Sequence, residues 1–173
     1  ITRGITHTTF EVFDSEGWLR GNILTVDLKD GNVKSDLLMS NTLTDRKVPT
    51  ELANEARAIA AVNGDFFYLG SATVPRGYVV KSGELLKSSP RWDKTMAITT
   101  GNMGKMLNLA MSGTIQNLSR PGSLSIPIGG LNDIYPNPNS VVLYTHIWGS
   151  KTRSGFLSGA KNYTEVVVKG NKI

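Results

Sequence analysis

The sequence reads Tyr-Val-Val-Lys-Ser-Gly-Glu-Leu-Leu from Tyr78 to Leu86. Two short apolar runs, Tyr78–Val80 and Glu84–Leu86, flank Lys81-Ser82-Gly83, and a Ser-Gly pair between such runs is typical of a tight β-hairpin. Short strand-like runs that end at Gly, Asn or Asp recur along most of the chain, which contains 18 glycines. The pattern predicts a sheet-rich domain with many turns.

The other strand candidates are short β-branched, aromatic or alternating runs. They are Thr8–Phe13, Asn22–Leu28, Val33–Met39, a buried strand that ends at Val62, Thr95–Thr99, Met106–Met111, Thr114–Leu118, Ser123–Ile128, Val141–Tyr144 and Thr164–Val168. The turn residues Lys29–Asn32 predict that the second and third of these runs pair as a hairpin. The predicted fold class is α+β, a mixed, strand-rich sheet with one clear helix and many short strands and hairpins.

The one clear helix is predicted over residues 49–60. Pro49 suits a helix start, Thr50 can cap it, and the residues from Glu51 to Ala58 are mostly strong helix formers. An acidic residue in the first turn also favours a helix, because it complements the helix dipole.

Composition excludes several classes of protein. The 173 residues include no cysteine, which excludes a disulfide scaffold and a thiolate zinc site, and a hydrophobic content of 39% excludes a disordered chain. No run reaches the roughly 20 apolar residues that span a bilayer. The net charge of +5 is scattered, so nucleic acid is not an expected partner. We therefore expect a single domain over residues 1–173, with any signal peptide already absent.

The stretch that carries the most chemistry is Ala60–Phe67. An apolar run ends there in Asn63, Gly64 and Asp65, followed by two phenylalanines. A strand end can hold an amide and a carboxylate rigidly at a cleft, and the glycine lets the backbone approach a ligand or adopt a positive φ. An ordinary tight turn followed by two core phenylalanines explains the same residues.

Cationic residues follow in two further segments. Arg76 lies between Pro75 and Gly77, where the turn is expected to expose it and let it bind an anion in a bidentate manner. The segment Ser88–Thr95 combines cations, an acid, hydroxyls and a tryptophan, a mixture common at carbohydrate and phosphate sites and also in ordinary loops. Neither histidine stands near a second ligand at metal spacing, so we expect no histidine-based metal site. We expect no cofactor either.

Together and in this order, four segments resemble the phosphodiester glycosidase family. That is the family of the lysosomal uncovering enzyme, which removes N-acetylglucosamine from a phosphodiester on mannose, and it is widespread among bacterial exported proteins. The segments are Ala61–Phe67, Pro75–Leu85, Asn139–Thr145 and Tyr163–Val168. The opening stretch, residues 1–28, also fits, and the bacterial exported members are the closer likeness.

The resemblance implies hydrolysis of a sugar 1-phosphodiester in extracellular or cell-wall glycopolymer metabolism, for example of an exopolysaccharide, by a protein located outside the cell or on its surface. The implied catalytic residues are Asp65 and Asn63. The implied substrate-binding residues are Gly64, Phe66, Phe67, Arg76, Gly77, Arg91 and Lys94. The leaving phosphomonoester is weakly basic, so positive charge near the phosphate is more useful than strong acid assistance.

The chain departs from the family pattern in one respect. Family members continue to an Arg-Thr-Ala-x-Gly segment and an Asp-Gly-Gly-Gly-Ser segment, and this sequence contains neither. We therefore expect the N-terminal part of a longer domain, with little glycosidase activity by itself, whose partner is a C-terminal fragment of the same protein or a second copy. A second carboxylate is expected in the absent part, with Asp93 as a local alternative. A non-catalytic carbohydrate- or cell-wall-binding module, or a purely structural domain, are the competing interpretations.

Overall fold

The structure is a computed structural model and describes residues 2–70, 72–117, 119–120, 122, 125–135, 137, 139–153 and 163–170. These residues form a strand-rich α+β arrangement with nine strands, one α-helix and one 3₁₀ turn, as the sequence predicted for the fold class. The elements are β1 Ile5–Asp14, β2 Gly17–Val26, α1 Pro49–Glu55, β3 Val79–Lys81, β4 Glu84–Lys87, β5 Lys94–Ile98, β6 Gly104–Asn108, β7 Thr114–Ile115, β8 Ile126–Leu131, β9 Val141–Leu143 and the 3₁₀ turn His146–Trp148.

The first hairpin differs from its prediction. Strand β1 pairs with β2 through a turn at Ser15 and Glu16, whose amide binds the Asp14 carboxylate at 2.8 Å. The predicted returning strand Val33–Met39 is wrong. The carboxylates of Asp27 and Asp30 accept the amides two residues on, so this segment closes local turns instead of continuing a ladder.

The helix exists, but its predicted end is wrong. It ends at Glu55, because Arg57 adopts a left-handed conformation with φ 51°. The amide of Ala58 then binds the carbonyl of Ala53 at 2.8 Å, and that of Arg57 binds the carbonyl of Asn54, which is the Schellman way of closing a helix. The buried strand expected to end at Val62 does not form either, and residues 60–66 belong to no strand.

The hairpin from which the fold was predicted is confirmed. Strands β3 and β4 pair antiparallel, and Ser82 and Gly83 have the positive φ values, 52° and 81°, that a tight hairpin turn requires. Strands β5 and β6 form a third hairpin, and β7–β8–β9 form a mixed sheet in which β8 and β9 are parallel. The predicted strand Thr164–Val168 does not form, and Leu118, Ser123 and Leu124 of two other predicted strands lie outside the described residues.

Most of the buried residues that the structure describes lie in two apolar clusters or at the junction of β4 with β8. One apolar cluster comprises Ala72, Val74, Ile134 and Trp148, and a second comprises Leu43, Val79 and Leu86. Ser88, which follows β4, exchanges two hydrogen bonds of 2.9 Å with Leu131, the last residue of β8. This junction brings polar residues from the ends of both strands into the interior. Within the described ranges, no helix has the length and apolar character to cross a bilayer.

Candidate functional site

Two segments singled out by the sequence meet directly. The chain at residues 66–68 runs antiparallel to residues 74–76, with hydrogen bonds from the Tyr68 amide to the Val74 carbonyl and from the Arg76 amide to the Phe66 carbonyl. The carboxylate of Asp65 accepts the amide of Gly77 at 2.7 Å on one oxygen and the amide of Phe66 at 2.7 Å on the other. The Asn-Gly-Asp segment is thereby fastened to the Pro-Arg-Gly turn.

Gly77 and Gly64 differ in whether their surroundings leave room for a side chain. A Cβ on Gly77 would lie 3.0 Å from the Oδ2 atom of Asp65, so a side chain there would crowd the carboxylate. A Cβ on Gly64 would meet nothing within 4 Å, and Gly64 has no positive φ. Neither packing nor backbone conformation therefore requires a glycine at position 64, where the backbone is open to its surroundings.

The phenylalanines after this segment are not core residues. Phe66 is 76% exposed and Phe67 is 40% exposed. The interpretation of Asn63–Phe67 as a tight turn followed by two core phenylalanines is therefore wrong. Asn63 is exposed, and its side chain forms no hydrogen bond to any residue that the structure describes. An apolar and amide-bearing surface therefore lies beside Asp65.

The sequence did not single out Lys87, whose side chain is fully buried. Its ammonium group donates to the carbonyls of Ser88 at 2.8 Å, Gly77 at 3.3 Å and Arg76 at 3.4 Å. The Nζ atom also lies 3.9 Å from the Oδ1 atom of Asp133. Lys87 thus binds the backbone of the Pro-Arg-Gly turn through the carbonyls of Arg76 and Gly77.

Burial lowers the pKa of Lys87 to about 8, and the charges of Asp133 and Asp65 partly oppose this change by raising it. The group is therefore charged at neutral pH and loses its proton at mildly alkaline pH. The burial of Lys87 could have been suspected from the sequence, because it directly follows the apolar pair Leu85-Leu86. The two serines that follow it are also buried.

We expect the free energy of unfolding to rise by about 2 kcal/mol between pH 8 and pH 10. The pKa of Lys87 is lower in the folded chain than its ordinary 10.5, so in this window the unfolded chain binds more protons and folding gains as pH rises. Above pH 10 the opposite contribution begins, because burial raises the pKa of Tyr144 to about 12. Urea denaturation at each pH measures the effect.

The matched variant for this measurement is Lys87→Met, which has no titrating group at this position. Its stability should change between pH 8 and 10 by clearly less than that of the wild type. Equal slopes in the two proteins would contradict the assignment of this titration to Lys87.

A second carboxylate, that of the buried Asp133, lies 3.9 Å from the Lys87 ammonium. It is 1% exposed, its Oδ1 atom accepts the amide of Tyr135 at 3.1 Å, and its backbone carbonyl accepts the hydroxyl of Tyr144 at 2.8 Å. The Oδ2 atom is buried and has no hydrogen-bond partner among the described residues. Sequence reasoning missed Asp133, although an Asn-Asp pair directly after a strand that ends Gly-Gly-Leu is a signal of a polar strand end.

Asn132 fixes the position of this carboxylate. Its side-chain amide donates to the carbonyl of Leu86 at 2.7 Å and to the hydroxyl of Thr145 at 3.0 Å, while its oxygen accepts the amide of Thr145 at 2.9 Å. Asn132 has a φ of 47°, a conformation that asparagine tolerates better than most residues. The fully bonded amide therefore ties β4, the end of β8 and the segment after β9 together around Asp133.

The predicted cations lie at different places. Arg76 is half-buried, so the prediction that the turn exposes it is wrong. Its Nε atom is buried without a hydrogen-bond partner among the described residues, and its guanidinium stacks 5.7 Å from the ring centre of Trp92. Arg91 stacks 5.2 Å from the ring centre of Tyr135, and Lys94 is exposed at the start of β5.

A cavity of about 270 Å³ lies at the junction of β4 with β8. Its lining includes Tyr78, Ser88, Asp93 and Gly129. Asp93 therefore lies in a cavity whose lining includes neither Asp65 nor Arg76. The contacts join Asp65, Gly77, Arg76 and Lys87 into one cluster and do not connect Asn63 or Lys94 to it.

Comparisons of the chain with protein-family models, with curated proteins and with solved structures find no match. The family assignment therefore depends on the motif residues and stays a prediction. Among the described residues, no group of three or more histidine, aspartate or glutamate side chains is close enough together to hold a metal ion.

Proposed function

We propose that this chain carries part of the site of a glycosidase that hydrolyses a sugar 1-phosphodiester. It would release a sugar such as N-acetylglucosamine during extracellular or cell-wall glycopolymer metabolism. The observation that supports this most is the hydrogen bond between the Asp65 carboxylate and the Gly77 amide, beside the half-buried Arg76. It joins a carboxylate to the backbone of the turn that carries an arginine, and the reaction needs both groups.

In the proposed reaction, water attacks C1 of the sugar while the bond between C1 and the phosphate oxygen breaks. The electron pair of that bond leaves with the phosphomonoester, and the water proton passes to solvent. Arg76 holds two phosphate oxygens, with Arg91 and Lys94 as further cations near the phosphate. Asp65 stabilises the positive charge that develops on the sugar, because each carboxylate oxygen keeps a lone pair beyond its amide bond.

The exposed residues around Asp65 suit the sugar. Asn63 offers an amide for sugar hydroxyls, and Phe66 and Phe67 offer an aromatic surface against which a sugar ring can pack. Gly64 permits close approach of the ligand to the backbone, since no atom lies within 4 Å of the position that a side chain would take.

Asp133, rather than Asp93, is the second carboxylate connected to this cluster. Lys87 links it to the turn, because the same ammonium approaches Asp133 and donates to the carbonyls of Arg76 and Gly77. Since Asp133 is buried, it acts on the site through Lys87 and does not touch the substrate.

A non-catalytic module that binds a phosphorylated glycan is the second candidate. The observation in its favour is that both oxygens of Asp65 accept backbone amides, an arrangement in which the carboxylate serves to fasten the loop. Such a module would retain the aromatic surface and the arginine and would bind the phosphorylated sugar without turnover.

The expected partner is a C-terminal fragment of the same protein or a second copy. The β1–β2 hairpin supports this part of the proposal, because it is a two-stranded sheet of its own and leaves Phe13 and Trp18 about two-thirds exposed. Two-stranded sheets are marginally stable in water without a covering element.

We expect the encoded protein to release free sugar from an N-acetylglucosamine 1-phosphodiester, and Asp65→Asn to lower kcat by about 10²–10⁴-fold, the range that a positioned carboxylate contributes. Quantified free sugar measures the rate. Asp36→Asn is the matched control, because Asp36 also accepts the amide of the next residue at 2.8 Å but belongs to neither segment.

An unchanged kcat in Asp65→Asn would contradict the role of Asp65. Binding of the diester without turnover would favour the non-catalytic module, and neither binding nor turnover would contradict both candidates. If Asp93→Asn lowered kcat as much as Asp65→Asn does, the second carboxylate of the site would be Asp93 and not Asp133.

A further inference from the structure

We propose that Lys87 is a positioning residue whose ammonium holds the Arg76–Gly77 turn in its binding geometry, so that loss of its proton releases the turn and weakens phosphate binding at Arg76. The part that concerns phosphate rests on the proposed function. The part that concerns the turn rests on contacts within the chain alone.

The contacts of Lys87 match the charged form of the amine. Three carbonyl oxygens, from Arg76, Gly77 and Ser88, lie within hydrogen-bond distance of Nζ, and one carboxylate oxygen lies 3.9 Å away. An ammonium has three donors and no acceptor, whereas a neutral amine has two donors and a lone pair. Deprotonation therefore leaves one carbonyl without a donor and turns a lone pair toward oxygen atoms.

Two of the three carbonyls that Lys87 binds belong to Arg76 and Gly77, which form the turn at the site. The amide of Gly77 binds the Asp65 carboxylate, and the amide of Arg76 binds the Phe66 carbonyl. Arg76 also carries the guanidinium that stacks on Trp92. A change in the carbonyl contacts of these two residues therefore moves both the carboxylate and the guanidinium of the site.

Among the described residues, the charges that act on Lys87 are those of Asp133 and Asp65. Burial lowers its pKa to about 8 and these two charges raise it, so the change falls at mildly alkaline pH. A phosphate monoester, whose second pKa is about 6, keeps its charge throughout this range. A loss of phosphate binding near pH 8 would therefore not come from a change in the charge of the ligand.

The test uses two readouts on the encoded protein. The first is the indole NMR resonance of Trp92, assigned with a Trp92→Phe variant and followed from pH 6.5 to 9.5 without ligand. We expect a shift with a midpoint near pH 8 in the wild type and no such midpoint in Arg76→Ala. The second is calorimetric titration with N-acetylglucosamine 1-phosphate, whose Kd should rise about tenfold from pH 7 to pH 9.5.

Variants separate positioning from folding. Lys87→Arg keeps its charge and should remove the pH dependence of Kd, whereas Lys105→Met, at an exposed position on β6, should leave it unchanged. A Trp92 resonance that stays constant over the range would overturn this inference even if every Lys87 variant failed to fold. Absence of binding at pH 7 together with the expected Trp92 midpoint would contradict the proposed function and leave the positioning of the turn supported.

Discussion

Lys87→Met is expected to lower the free energy of unfolding at pH 7 by about 3–5 kcal/mol, the usual result of removing one partner from a buried ion pair. The substitution leaves Asp133, 1% exposed, without its cation and removes the donor from three carbonyls. Urea denaturation of the variant and the wild type measures the difference. A loss under about 1 kcal/mol, the size expected for a surface pair, would contradict a buried pair at this position.

The double variant Lys87→Met/Asp133→Leu distinguishes the two contributions. Replacing both partners by apolar residues removes the uncompensated charge, so the double variant should be more stable than Lys87→Met alone. Equal stability of the two variants would mean that the carbonyl contacts, and not the carboxylate, account for the loss.

Arg76→Ala should weaken binding of a sugar 1-phosphate by about 2–5 kcal/mol and binding of the neutral sugar much less. The phosphate carries the negative charge that a guanidinium can hold through two oxygens. Because the Nε atom of Arg76 is buried, the interaction is partly shielded from water and stronger than an exposed pair. Calorimetric titration with both ligands measures the two losses.

Glu84→Ala is the matched control, because Glu84 is exposed at the start of β4. It should leave the binding of both ligands unchanged. Equal losses for the charged and the neutral ligand in Arg76→Ala would mean that Arg76 supports the fold. No loss for either ligand would indicate that Arg91 and Lys94, and not Arg76, bind the phosphate.

Features that depend on neighbouring residues could be predicted from the sequence. The β3–β4 hairpin was predicted because Ser82 and Gly83 carry its turn, and the start of the helix because Pro49 and Glu51 suit one. The end of the helix was missed because the left-handed residue after it is Arg57. Glycine or asparagine usually takes that position, so arginine gives no signal of a helix end. The first hairpin was misplaced, because the aspartates after β2 carry a stronger turn signal than Ser15 and Glu16.

The candidate site divides in the same way. Asp65, Gly77 and Arg76 belong to recognisable motifs, and the sequence placed them in one site without showing which atoms meet. Lys87 and Asp133 come from distant parts of the chain, and their contact depends on the junction of β4 with β8. No local pattern encodes that junction, so the contact between Lys87 and Asp133 could not be predicted.

The proposed function requires that the protein break the bond between C1 of a sugar and a phosphate oxygen. Hydrolysis of an N-acetylglucosamine 1-phosphodiester by the encoded protein in water enriched in ¹⁸O tests it most directly, with mass spectrometry of both products. We expect the label in the released sugar and none in the phosphomonoester, because water attacks carbon. Label in the phosphate would show attack at phosphorus and would contradict the account, as would a complete absence of hydrolysis.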